Sequence, residues 1–156
     1  MVFAEGTTVS VENSQGEIRV LVKKYGADQF VSGEWPDRAM IGFRCNGRMV
    51  RFTLMLPNVK DPRFTPKRAR WNQTSAERHQ ALYDAEQRRL WRALCLTIKA
   101  KLESVASGIS TFDSEFMPFI LMPDGRTVAE HVLPAIDAAY KTGKMQPLLL
   151  GMGDLP

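Results

Sequence analysis

The stretch RAMIGFRCNGRMVRFTLMLP, Arg38 to Pro57, limits the fold more than any other part of the chain. Asn46-Gly47 stands between two alternating apolar runs, the strongest short-range mark of a two-residue type I′ hairpin. A two-residue loop pairs Cys45 with Arg48, Phe43 with Val50, Ile41 with Phe52 and Ala39 with Leu54. All but the first of these are apolar on apolar. The opposite face then pairs Arg44 with Met49, Gly42 with Arg51 and Met40 with Thr53. A slip of one residue would undo this sorting, so the register is strongly specified. The hairpin has one face for a core and one face of arginine, methionine and glycine. Either that second face is open to a partner, or a C-terminal strand and helix cover it.

A lone hairpin is marginal in water, so further elements are required. Ser14 with Glu17 fits a capping box. Ile18, Leu21, Val22 and Tyr25 recur on one helical face, which predicts a helix over 15–25 ended by Gly26. Upstream, Val9 and Val11 suggest a short strand or an extended lead-in. Asp28 to Trp35 reads as a strand, turned at Pro36-Asp37, giving a three-stranded antiparallel meander. Pro57 to Thr74 is proline-broken and reads as an exposed loop. Ser75 to Ser107 reads as a long helix with Ser75 as N-cap, Gly108 after its end, and a bend in reach near Tyr83 to Glu86. Its buried stripe is Trp91, Leu94, Cys95, Ile98, Leu102 and Val105, within about 100° of arc.

Thr111 to Phe116 suggests a short turn or helix, and Pro118 to Met122 a short buried strand closed by a turn at Pro123-Asp124-Gly125. Thr127 with Glu130 opens a last helix to about Lys141, its apolar face Val128, Val132, Ala135, Ile136, Ala139 and Tyr140, with Pro134 kinking it and Gly143 ending it. The predicted fold class is α+β: one domain, with residues 1–13 as lead-in, 14–108 as an αβββα core, and 109–156 as a strand-helix extension with an apolar tail. This order is similar to that of double-stranded-RNA-binding domains, a likeness of element order alone. Their basic cluster at the start of the second helix has a loose counterpart in Lys67, Arg68 and Arg70. The loop between the first two strands has no matching feature.

The YGA turn at Tyr25-Gly26-Ala27, the GFRCNGRMVRFTLMLP hairpin, the LWRALCLTIKAKLESVASGI helix and the LMPDGRTVAEHVLP segment resemble an uncharacterised family of small bacteriophage- and prophage-encoded proteins. The likeness covers most of the chain. It implies a phage setting and a place in the host cytoplasm, and it brings no catalytic residues with it.

Chemistry for catalysis is sparse. His79 and His131 have no carboxylate or cysteine at metal-ligand spacing. No GxSxG motif occurs. The turns at Gly151 to Asp154 and Pro123 to Gly125 lack the lysine and helix of a phosphate loop. Asp61, Asp113, Glu115, Asp124 and Glu130 are dispersed, and no spacing singles them out. The expectation is a protein without enzymatic activity or cofactor. Its best enzymatic alternative is a nucleotide-handling or nuclease activity on carboxylates from different elements. Cys45 and Cys95 sit in apolar patterns and read as small buried hydrophobes in a reducing cytoplasm. No apolar run approaches the roughly 18 residues of a membrane span, and the N-terminus lacks a secretory signal.

Charge is what remains. The net charge of +4 hides an asymmetry: Lys60 to Lys101 carries eleven Lys or Arg against four Asp or Glu, a balance of +7, which leaves the rest of the chain at −3. Such a patch releases counterions on binding phosphates. The candidate nucleic-acid contacts are Lys60, Arg63, Lys67, Arg68 and Arg70 in the loop, with Trp71 stacking on a base. Arg88, Arg89, Arg92 and Lys99 form a helix face beside the buried stripe, and Arg44 and Arg51 are outlying hairpin contacts. The expected function is largely sequence-independent nucleic-acid binding. The alternative is a protein-interaction module, an inhibitor or adaptor, using the basic patch on an acidic protein surface and the apolar tail Met145 to Met152, which also suits homo-oligomer formation.

Overall fold

The computed structural model describes residues 2–65, 74–145 and 147–149. The elements run α1 (Val11–Lys24), β1 (Gln29–Glu34), β2 (Arg38–Cys45), β3 (Arg48–Met55), α2 (Ser75–Ala106), α3 (Phe112–Phe116) and α4 (Val128–Thr142). The strands form one antiparallel meander in the order β1-β2-β3. The hairpin register is the one the alternation specifies, Cys45 with Arg48 through Ala39 with Leu54. Asn46 and Gly47 both have positive φ, 52° and 72°, as a type I′ turn requires.

Ala39, Ile41, Phe43, Cys45, Val50 and Phe52 are buried on the inner face of the sheet. They meet Ile18 and Val22 of α1, Trp91, Cys95, Ile98 and Leu102 of α2, and Phe112 and Phe116 of α3 in one core. The stripe expected on α2 is therefore the core stripe, with Leu94 and Val105 packed at its margin. Residues 10–15 of α1 lie beside 84–88 of α2, Glu17 pairs with Arg92, and Tyr25 with Glu103, so the two helices run parallel. Phe43 and Phe52 meet Phe116 edge-on at 5.8 and 6.2 Å, and Phe52 stacks on Phe119 at 4.2 Å. The C-terminal extension is thus fastened by aromatic contacts to the inner face and its rim.

Several local expectations are corrected. α1 starts at Val11, with Ser10 as its N-cap accepting from the Asn13 N–H at 3.1 Å. Val11 packs against the core, about two turns before Ile18 on the same face, so the helix grows past Ser14. Ser14 is fully buried inside the helix and caps nothing. The Val9-Val11 alternation forms no strand. α2 is capped by Thr74 in a capping box with Glu77, one residue before Ser75, and it runs unbroken through Tyr83 to Glu86. The strand expected at Pro118 to Met122 is reduced to two isolated bridges, Val50 with Ile120 and Leu121 with Thr127. Met117–Phe119 is instead a 3-10 turn around Pro118, whose missing N–H suits a turn better than a ladder.

The loop from Pro57 is less open than its prolines suggest. Pro57 is buried, Asp61 caps a 3-10 turn over Pro62–Phe64, and Phe64 is buried edge-on against Tyr83 and His79 of α2. In α4 the Thr127–Glu130 capping box and the left-handed Gly143 are present as expected, and Pro134 lies within a continuous helix. Its apolar face is only partly covered; Tyr140 is 88% exposed. Among the described residues no helix is long and apolar enough to cross a membrane.

Candidate nucleic-acid interface

The segment that carries the densest run of positive charge leaves the sheet at β3 and enters α2. The Phe64 contacts fix its first end to the N-terminal half of α2, and the Thr74 cap fixes its second end at the helix start. Lys67, Arg68, Arg70 and Trp71 belong to residues 66–73 and lie outside the described residues. Lys60 is exposed just before the 3-10 turn. Arg63 donates Nε to Asp61 at 2.9 Å and lies over the Phe64 ring. The Arg63 backbone N–H and guanidinium together hold the Asp61 carboxyl below its ordinary range.

Two of the four cations on the helix face predicted from α2 are ion-paired within the fold. Arg89 makes a two-pronged ion pair with Glu86 at 2.7 and 2.8 Å, and its hydrogen bonds hold the Glu86 carboxyl below the usual range. Arg92 donates to Glu17 of α1. Arg88 lines a cleft between α1 and α2 with Glu12, Glu34 and Asp84 around it. Lys99 is exposed. Helical periodicity placed these residues on one arc correctly, but it carried no information about the acids of α1 that face them.

Arg44 and Arg51 on the hairpin are also paired. Arg44 donates twice to Asp28, at 2.6 Å through Nη2 and 2.9 Å through Nε, and this holds the Asp28 carboxyl below its ordinary range. Arg51 donates to the Gly125 carbonyl at 3.0 Å and to Glu130 at 2.8 Å. Of the eight candidate contacts among the described residues, Lys60, Arg88 and Lys99 carry no ion pair.

The C-terminal extension covers the outer face of the hairpin only in part, where Gly125 and Glu130 meet Arg51. Val31, Trp35 and Met55 are 46%, 44% and 64% exposed there. Met40 and Met49 are half-buried, and the Met49 methyl lies over Gly42. Trp35 donates its backbone N–H to the Arg38 carbonyl at 2.7 Å, and the Arg38 guanidinium lies over its ring at 5.8 Å. Sequence reasoning passed over Trp35 and Arg38. The signal was present: the hairpin alternation continued into β1 puts Val31, Gly33 and Trp35 on the arginine face.

A second charged cluster lies at the turn before α4. His131 bonds Asp124 through Nε2 at 3.0 Å and Arg126 through Nδ1 at 3.0 Å. The Arg126 guanidinium donates to Nδ1, so Nε2 carries the ring proton and donates to the carboxylate. That bond, with the Arg126 backbone N–H, holds the Asp124 carboxyl far below its ordinary range. Both ring nitrogens are thus occupied. Among the described residues no group of three or more His, Cys, Asp or Glu is arranged to hold a metal ion. No protein-family profile, curated protein or solved structure matches this chain.

Proposed function

We propose that this chain is a small nucleic-acid-binding protein that grips phosphates mainly through the loop between β3 and α2. One observation carries the reading. Between Asp61 and Glu77 the chain has four cations, Arg63, Lys67, Arg68 and Arg70, and no acidic residue. Outside this run, Arg44, Arg51, Arg89 and Arg92 each have a carboxylate in contact. Arg63 is paired with Asp61, and Lys67, Arg68 and Arg70 follow with no acid among them. Such a run in a segment fastened at Phe64 and Thr74 suits phosphate contacts that position a ligand without reading its sequence. Trp71 in the same run supplies a stacking surface. The resemblance to phage and prophage proteins suits this role in a host cytoplasm.

The test is fluorescence anisotropy with a labelled 20-nucleotide single strand and the matching duplex, from low to moderate salt. The expected result is binding that weakens steeply with salt and weakens further when Lys67, Arg68 and Arg70 are replaced together by glutamine. No binding of either form at low salt overturns the reading.

One observation favours the protein-interaction alternative. α4 has no fully buried residue, and Leu133, Tyr140, Met145, Leu148 and Leu149 are exposed along it and just beyond. Capture of a partner that survives nuclease treatment and is lost on truncation after Lys144 supports it.

A further inference from the structure

The outer face of the meander holds a cleft of about 300 Å³ lined by Trp35, Arg38, Met40, Arg51, Thr53 and Glu130. Its parts are of different chemical kinds. Among the described residues Trp35 is the only aromatic side chain lining it, and it is half open to solvent. Gly33 is what lets the indole lie back on β1: a Cβ at that position would stand 2.9 Å from the far edge of the ring. Arg38 faces the same ring at 5.8 Å. Carbon layers in contact are about 3.5 Å apart, so a planar ring held between two others needs roughly 7 Å. The guanidinium thus stands too far off for a close stack and about one ångström short of admitting a flat ring between.

The polar groups at the far wall are held in place. Arg51 is tied to the Gly125 carbonyl and to Glu130 Oε2, and its buried Nε has no hydrogen-bond partner among the described residues. The same Glu130 oxygen accepts the Thr127 N–H at 2.6 Å, while Oε1 carries no hydrogen bond among the described residues. A π-surface, a guanidinium able to lie on the other face of a ring, and a fixed carboxylate acceptor at the edge form a recognition set for an unpaired nucleobase. A base offers a flat ring for Trp35 and a ring or amino N–H for Glu130. A paired base in a duplex keeps its ring faces stacked on its neighbours and offers none to Trp35.

We propose that this cleft is a stacking slot for one nucleobase of a single strand, with Trp35 and Arg38 sandwiching the ring and Glu130 accepting from its edge. The slot rests on the proposed nucleic-acid function and deepens it. The loop holds phosphates of either strand form, and the slot makes the protein prefer single strands.

The experiment measures anisotropy with a labelled 12-nucleotide single strand and its duplex. It compares the natural chain with Trp35→Ala, Trp35→Phe, Arg38→Ala and the Lys67, Arg68 and Arg70 triple glutamine variant. Circular dichroism checks folding, and the exposure of Trp35 makes its loss tolerable. The expected result is a roughly tenfold weaker single-strand affinity in Trp35→Ala, less than twofold change for the duplex, a smaller loss in Arg38→Ala, and near-full retention in Trp35→Phe. The triple variant is expected to weaken both forms alike.

A parallel titration with a nucleoside monophosphate in a Trp71→Phe background reads quenching of Trp35 directly, because Trp91 is buried. Equal effects of Trp35→Ala on both strand forms, or none, overturn the slot and leave the loop reading standing. Quenching by the mononucleotide without polynucleotide binding supports the slot and overturns the loop reading. No binding and no quenching overturn both. Self-association abolished by Trp35→Ala would assign the face to a second copy of the chain and overturn the slot.

Discussion

Arg51 Nη2 donates to Glu130 Oε2 at 2.8 Å, and this bond ties the middle of β3 to the first turn of α4. The same carboxylate closes the capping box with Thr127. One acid therefore sets both where α4 begins and where it sits against the sheet. The pair is partly open to solvent, so its coupling is modest. A double-mutant cycle with Arg51→Ala and Glu130→Ala, followed by urea denaturation, is expected to give a coupling of about 0.5–1 kcal/mol, at the upper end of exposed pairs. A coupling near zero would show that the bond does not hold α4 in place.

Ser14 is 0% exposed, and its hydroxyl has no partner among the described residues. A buried hydroxyl without a hydrogen bond is a cost, and alanine is the better helix former. Ser14→Ala is expected to leave the protein as stable or to raise its stability by up to about 1 kcal/mol. A clear loss in urea denaturation would mean that the hydroxyl has a partner, such as a buried water.

The chain should lose stability on the acid side. Asp28, Asp61, Glu77, Glu86, Glu115, Asp124 and Glu130 all have folded pKa values below their ordinary 3.8 or 4.5, mainly through hydrogen bonds to the carboxylate. A depressed carboxylate contributes stability in full above its unfolded pKa, and that contribution is lost as pH falls through the folded value. Thermal midpoints should therefore hold nearly level from pH 7 to about pH 5 and drop below about pH 4.5. A midpoint that rises on acidification would contradict this.

Both cysteines should be unreactive in the native state. Cys45 and Cys95 are buried, and burial pushes both thiols up, Cys95 to about 11. The thiolate is the nucleophile, so a soluble maleimide at pH 7.5 should label neither until urea unfolds the chain. Fast labelling of either residue in the native protein would refute this.

Replacing Lys67, Arg68 and Arg70 together should flatten the salt dependence of nucleic-acid binding. Each phosphate contact contributes roughly 0.7–0.9 to the slope of log affinity against log salt, so the triple variant should lower the slope by about 2 to 3. Replacing Arg92, which is committed to Glu17, should change the slope by much less than one contact's share. Equal effects from the two variants would return weight to the helix face.

The hairpin was legible because its evidence is local. Asn46-Gly47 chooses the turn, and alternation on both sides admits one register. The stripe on α2 was legible for the same reason, since helical period alone brings Trp91, Cys95, Ile98 and Leu102 together. The start of α1 was misplaced because Ser10 and Ser14 both make good caps, and only packing of Val11 on the core decides between them. The strand expected at Pro118 was misplaced because an apolar run does not reveal that Phe119 is used to stack on Phe52. In the candidate site, the positive residues were visible but their partners were not. Arg92 and Glu17 stand 75 positions apart, and Arg51 and Glu130 79 apart.

By itself, then, the sequence determined the α+β class, the register of the meander and the faces of its helices. It also determined that positive charge concentrates between β3 and the end of α2. These follow from side-chain periodicity and turn stereochemistry, which act over a few residues. Tertiary structure alone decided which of those charges are spent within the fold. It also decided that the outer hairpin face is covered only in part, with Trp35 and Arg38 at its open edge. Those outcomes depend on which distant carboxylates and rings the chain brings within a few ångströms, and such neighbours leave no periodic trace in the sequence.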